Sequence, residues 1–341
     1  MPKSSNPPAR VWISRGAFVL LGACSACGAA QQEVYPSRPL RFVVGFTPGG
    51  GSDLVARFLG QKLTEQWGQP VVVDNRPGAG GNLANEIVVK AAADAYTVLI
   101  ASSSFTIQPA IYNNLSYKPQ TDFAPVSLAA SSPYLLVVHP SVAAQSVKEL
   151  IALAKAQPGK LNFGSAGNAS GNHLATEQFQ SLAGVKLTHV PFKGGAPALT
   201  ALMAGEIDLA FDPMITTLQQ LNSGRIRPLA VSTQKRAPQL PHLPTLTESG
   251  VKGYDATNWG GILVPAATPR TIIDRLNVSL NQGLAKSDVR ERMLALGAEP
   301  LSGTPEELGE LIKRELARTG DRKSTRLNSS HIPLSRMPSS A

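Results

Sequence analysis

The sequence predicts an α/β architecture in which mostly parallel strands are covered by helices on both faces. Three observations predict it. Short apolar, β-branched segments alternate with longer segments of helical periodicity. Glycine-rich turns join strand to helix at several places. The 341 residues suffice for two domains of ordinary size, and 43% hydrophobic against 16% charged residues is a globular composition.

The elements follow in order. Arg41–Phe46 is short, apolar and β-branched, a buried strand. Leu54, Val55, Phe58, Leu59 and Leu63 give 52–66 a helical face, with Ser52 as its expected N-cap. Strands at 71–74 and 97–101 flank a helix at 82–93. After Phe123, strands at 124–130 and 135–139 stand either side of Pro133. A second α/β unit then alternates helices at 147–156, 170–183, 196–204 and 216–223 with strands at 162–164, 189–191, 209–212 and 227–232. Residues 237–247 are Pro-rich and irregular. A strand at 262–264 and helices at 270–285 and 288–296 follow. Thr304 caps the last helix, 305–317, with Pro305 first and Glu306 and Glu307 in its opening turn.

The two ends stand apart from the fold. Arg10 and Arg15 precede the apolar stretch 16–23, and the small residues Gly28-Ala29-Ala30 offer a cleavage site, the pattern of an export signal over 1–30. Leu21-Gly22-Ala23-Cys24 also resembles a bacterial lipobox, in which Cys24 would be acylated and become the first mature residue. Residues 320–341 read as a non-native or disordered tail: from Asp321 helical periodicity is lost, and the segment resembles translated sequencing-adapter read-through. The last helix is then cut short near Arg318.

Charge and composition exclude several functions. The net charge of +9 comes largely from the two ends; the remaining 25 basic and 22 acidic residues leave only +3. No basic stripe interleaved with aromatics remains, so nucleic acid is not an expected partner. Two cysteines exclude a disulfide scaffold and a multi-cysteine zinc module. His139, His173, His189, His242 and His331 form no metal-ligand spacing. A nucleophile elbow and a dinucleotide fingerprint are both missing, so neither an enzyme nor a cofactor is expected.

The loops carry the chemistry. Phe46-Thr47-Pro48-Gly49-Gly50-Gly51-Ser52-Asp53 joins a buried strand to a helix, where free N–H groups and the helix dipole favour an anion. Asn75-Arg76-Pro77-Gly78-Ala79-Gly80-Gly81-Asn82 repeats the device. Ser102, Ser103 and Ser104 end the next strand. In the second unit Gly167-Asn168-Ala169-Ser170, running on to His173, and Lys193-Gly194-Gly195 occupy equivalent places. Ligands of open α/β sheets sit beyond the carboxyl ends of strands. Four such loops facing one cleft suit a small carboxylate; four independent tight turns are the plain alternative. Asp53 either caps backbone N–H groups or orients a ligand. Asp212, at a strand's carboxyl end, meets a ligand ammonium or a water, or is simply a solvated strand end. Trp67 and Trp259 are read as packing residues.

The segments 35–44, 48–57 and 75–82, together with His173-Leu174-Ala175-Thr176-Glu177, Pro191-Phe192-Lys193-Gly194 and 201–208, resemble the Bug-type substrate-binding proteins of tripartite tricarboxylate transporters. Order and spacing agree from about 35 to about 318. The resemblance implies a two-lobed, type II-like periplasmic-binding-protein fold, each lobe a doubly wound sheet, joined by a two-strand hinge near 134–139 and 228–233. Lobe 1 would comprise 36–134 and 234–319, and lobe 2 residues 135–233. Family members hold a ligand carboxylate through the first glycine loop. That role maps to Phe46, Pro48, Gly49, Gly50, Ser52 and Asp53. Further contacts map to Gly78, Gly80, Ser103, Ser104, Gly167, Asn168, Ala169, Ser170, His173 and Asp212. The family often has Tyr where Phe192 stands, so a hydroxyl contact there would be missing.

The implied function is a periplasmic receptor that delivers an organic carboxylate or acidic amino acid to inner-membrane permease subunits. The alternative is a sensor presenting its ligand to a membrane histidine kinase. A monomer is the default for this architecture.

Overall fold

The computed structural model describes residues 35–327, with side chains described through Gly320. The export segment to Ala30, Cys24 and the tail beyond Leu327 lie outside the described residues.

The first sheet begins with β1 (Leu40–Val44), β2 (Val71–Asn75) and β3 (Thr97–Ser102), parallel in the order β2-β1-β3. Leu40, Phe42 and Val44 point to one face and Val43 to the other, so β1 is buried on both. α1 (Gly51–Trp67) covers the first face with Val55, Ala56, Leu59 and Leu63. α2 (Asn82–Val89) covers the second with Ala84 and Val88. Serines 102–104 do not end in a loop: α3 (Ser104–Ile111) starts there, with Pro109 inside it. The sequence suggests no element for this segment; Phe105 and Ile107 of the helix are buried.

The central element is β4 (Phe123–Val138), one strand of 16 residues where the sequence suggests two. It pairs antiparallel with β9 (Thr257–Pro265) as far as Pro133. From Tyr134 it pairs with β7 (Leu209–Pro213) and β8 (Arg227–Val231) instead. Pro133 therefore sits where the ladder changes partners, a place that tolerates a residue with no N–H to donate. The second sheet runs β6-β5-β7-β4, with β5 (Asn162–Ser165) and β6 (Thr188–Pro191) parallel to each other and β5 parallel to β7. Parallel pairing is thus confined to the outer strands, and every pairing of β4 is antiparallel. α4 (Val147–Ala156), α5 (Gly171–Ala183), α6 (Gly195–Ala204) and the single turn α7 (Met214–Thr217) complete this half.

The sequence places the return to the first lobe at 234. In the structure Ala237, Leu240 and Leu243 pack with Leu135 and Val137 of β4. Leu246, Val251 and Tyr254 join the other core of the second sheet. The chain re-enters the first sheet only with β9, because that intervening segment has its apolar partners on the second. α8 (Arg270–Leu284), α9 (Ser287–Ala295), the short β10 (Glu299–Pro300) and α10 (Pro305–Leu327) follow. At the start of α10, Glu307 N–H donates to Thr304 Oγ1 at 3.2 Å and Thr304 N–H to Glu307 Oε2 at 2.8 Å, a reciprocal cap. α10 runs past the expected end at 317 to Leu327, since no proline interrupts it there.

Candidate functional site

A solvent-connected cleft opens between the two sheets. Phe46, Gly50, Gly51, Ser52, Ser102 and Asn258 line it from the first half. Ala166, Ser170, Gly171, Asn172, Gly195, Asp212, Pro213 and Thr216 line it from the second, and Tyr134 of β4 from the strand common to both.

The first wall is the N-terminus of α1. Gly50, not Ser52, is its N-cap, and no side chain caps the helix. The first N–H groups are therefore orphan donors at the positive end of a 17-residue helix. Ser52 lies inside the helix and is among the residues that line the cleft. Asp53, 2% exposed, faces the other way. It accepts hydrogen bonds from Gly49 N–H at 2.9 Å, Arg57 at 2.9 and 3.0 Å, and Asn75 Nδ2 at 3.0 Å. Burial acts to raise its pKa, but Arg57, the Gly49 N–H and Asn75 outweigh it and hold the carboxyl below its ordinary value. Asp53 thus builds the glycine loop and is absent from the cleft lining.

Ser102 lines the cleft and shares a 2.8 Å hydrogen bond with Ser104 Oγ. Ser103 Oγ donates to Asn258 Oδ1 at 3.4 Å, and Tyr134 OH donates to the same oxygen at 3.3 Å. Burial lifts the Tyr134 phenol above its ordinary pKa; Ser103 opposes this and the charge of Asp212 adds to it. The phenol stays a neutral donor.

The second wall is the turn into α5. Ser170 caps α5 by accepting from His173 N–H at 3.4 Å, and its hydroxyl donates to Gly167 O at 2.6 Å. Ala169, at φ 59°, donates its N–H to His173 Nδ1 at 3.2 Å. His173 therefore supports the turn from behind rather than lining the cleft. Its ring stacks on His189, centroids 4.1 Å apart, and His189 stacks in turn on Phe163 at 4.7 Å. Burial pushes His189 down to about 4, so it is neutral at pH 7.

Asp212, next to last in β7, is 1% exposed. Thr216 and Thr217 both donate to its Oδ2, at 2.6 and 2.7 Å. Burial raises the carboxyl to about 6, against the pull of those two hydroxyls.

Of the sequence candidates, Phe46, Gly50, Ser52, Ser170 and Asp212 come together in the lining. Pro48, Gly49, Gly78, Gly80, Gly167, Asn168 and Ala169 shape the loops without lining it. Gly80, at φ 63°, lies against the Asn168 carbonyl: a β-carbon there would stand 2.1 Å from that oxygen. Ser103 supports Asn258, and Ser104 supports Ser102. Phe192 packs partly buried against the apolar cluster of β4 and α6, away from the lining. The sequence missed Tyr134, Asn258 and Thr216, which lie in no glycine loop, and did not single out Asn172 within the loop that runs on to His173. Among the described residues no group of three His, Cys, Asp or Glu could hold a metal.

Residues 55–324 match the family described as the tripartite tricarboxylate transporter family receptor. The chain belongs to that family. Protein BugT of Bordetella pertussis is 35% identical over 88% of this chain and 93% of its own length. An R. palustris protein whose structure is described with adipate is 38% identical, with a TM-score of 0.83 over 86% of this chain and 98% of its own. MatC from Rhodopseudomonas palustris, with bound malate, is 32% identical, with a TM-score of 0.81 over 85% of this chain and 100% of its own. The receptor family is one of solute-binding proteins rather than enzymes. As a receptor of this type the chain shares their two-lobed α/β fold, and its cleft lies between the lobes. Among the described residues no helix is long and apolar enough to cross a membrane.

Proposed function

We propose that this receptor works outside the cytoplasm, captures a small organic carboxylate between its lobes and hands it to a membrane permease. The observation that carries the reading is the uncapped N-terminus of α1 opening into a cleft lined mostly by neutral polar and small residues, with Asp212 as its one carboxyl among the described residues. Ser52, Ser102 and Asn172 bring hydroxyls and an amide to its walls, and Tyr134 would have to turn its hydroxyl from Asn258 to join them. Such a site binds a carboxylate by hydrogen bonds and helix dipole, without a counter-ion. The adipate- and malate-bound relatives support the same ligand class.

The working cycle is closure of the lobes around the ligand. The hinge lies where β4 passes between sheets at Pro133 and Tyr134, and where the chain re-enters β9 at Thr257. A closed surface then differs from an open one, which is what a permease needs in order to discriminate loaded from empty receptor. Export through the 1–30 segment would place the receptor in the periplasm, either freed near Ala30 or anchored at Cys24.

The test is thermal unfolding of the exported chain against succinate, adipate, malate, citrate, glutamate, nicotinate and terephthalate, with the matching amides as controls. Saturation at 100 times Kd adds about 2.7 kcal/mol, a rise of several degrees. A rise with a carboxylate and none with its amide is expected. A folded protein stabilised equally by acid and amide sinks the reading.

A further inference from the structure

The cleft holds a buried acid for which simple carboxylate capture has no use. Both threonine hydroxyls on Asp212 bond to Oδ2, and among the described residues nothing donates to Oδ1. Oδ1 faces the start of α6, 3.5 Å from where a β-carbon on Gly195 would stand. Gly51, the first residue of α1, faces the same corner: a β-carbon there would lie 3.9 Å from Cβ of Pro213, the residue after Asp212. An anion drawn to the α1 terminus is therefore held beside Asp212.

The charges around that corner do not compensate. Among the described residues, no Lys or Arg lines the cleft. On α1, Asp53 is turned onto Arg57 and Asn75. On β4 the titratable neighbour is Tyr134, whose phenol stays neutral. On α5 and β6, His173 and His189 stack on each other behind the loop, and His189 is neutral. Ahead of α6, Lys193 is exposed. α7 contributes only Thr216 and Thr217. A dicarboxylate dianion would bring the cleft to three negative charges with no cation among its walls. Two carboxylates sharing one desolvated site do not both ionise.

Resting on the carboxylate reading, we infer that Asp212 makes this receptor take up a dicarboxylate together with one proton, held between Asp212 Oδ1 and the ligand oxygen facing it. The proton comes from solvent, forms an O–H bond to one of the two carboxylates and leaves to solvent on release; nothing is oxidised or reduced. Burial has already raised the Asp212 carboxyl toward that state in the empty cleft. Asp212 is then a selectivity residue. A ligand with its own donor at that end, a hydroxyl or an ammonium, needs no proton, whereas a plain dicarboxylate does. Its affinity falls about tenfold for each pH unit above the range in which the free acid titrates.

Calorimetric titration with adipate at pH 7.5, in two buffers of different ionisation enthalpy, counts the protons directly. Close to one proton taken up by the wild-type receptor is expected, and near none by Asp212→Asn. Adipate affinity should weaken about tenfold between pH 7 and pH 8 in the wild type and stay level in the variant. Should Asp212→Asn fail to fold, the two-buffer measurement on the wild type still decides. Adipate bound with no proton uptake overturns the inference and leaves the carboxylate reading intact. Failure of adipate, succinate and malate alike to bind overturns the dicarboxylate class, and this inference with it, while nicotinate and the other acids of the thermal panel separately decide the broader reading.

Discussion

Gly194, just ahead of α6, lies so close to Thr47 that a β-carbon added to it would stand 2.2 Å from the threonine hydroxyl and 2.9 Å from its backbone nitrogen. Thr47 belongs to the β1–α1 loop of the first half, and its Oγ1 is buried without a hydrogen-bond partner among the described residues. Gly194 has φ 166°, extended backbone open to any residue, so only the approach of the two halves demands glycine.

That contact gives a test of closure free of backbone strain. Gly194→Ala should leave the unliganded fold intact and hold the lobes apart. Carboxylate affinity is expected to drop roughly tenfold or more, about 1.4 kcal/mol. With saturating ligand, the radius of gyration from small-angle scattering should stay at its ligand-free value. A variant that binds and compacts like the wild type would show that the lobes need not meet there.

Asp53 offers a stability prediction with a defined sign. Its carboxyl is held below the ordinary value in the fold, so its stabilisation is complete above the unfolded-state pKa and is lost as pH falls through the folded one. Asp53→Asn loses the charge-assisted bonds to Arg57 and the Gly49 N–H, about 1–3 kcal/mol at pH 7. Urea unfolding at pH 7 and at pH 3.5 should find the gap to wild type narrowing at the lower pH. A gap independent of pH would mean that the charge contributes nothing.

The stacked imidazoles predict a loss of stability in acid as well, in a higher pH window and by a different route. His189 is held neutral, its pKa depressed to about 4 by burial. An unfolded histidine takes its proton near pH 6.5, so stability falls from that pH downward until the folded pKa is passed. His189→Gln should flatten that part of the curve between pH 6.5 and 4.5, read from denaturant midpoints. Identical slopes in variant and wild type would assign the acid sensitivity elsewhere.

Much of this was legible in the sequence, and what was not has identifiable causes. Strand–loop–helix spacing disclosed α1, α2, α5 and α6 because their glycine turns and apolar faces are local signals. It also picked out Ser170 and Asp212, which end or follow short strands. Tyr134 and Asn258 escaped because they lie within the long antiparallel strands β4 and β9, and only the pairing of strands far apart in sequence brings them to the cleft. Pro133 concealed the unity of β4, since its tolerance depends on a change of partner that no local pattern records. Ser52 looked like a cap by residue type; Gly50 took that position and left the serine free for the site.

The shared strand has a mechanical consequence. β4 is interior to both sheets, and the second half is inserted between two stretches of the first. Neither half can melt without stripping the other of a central neighbour, and neither can be cut out as a contiguous piece that keeps β4 for both. The receptor is in this sense a single spring bent at its middle: strain applied to one jaw is passed along an unbroken backbone to the other.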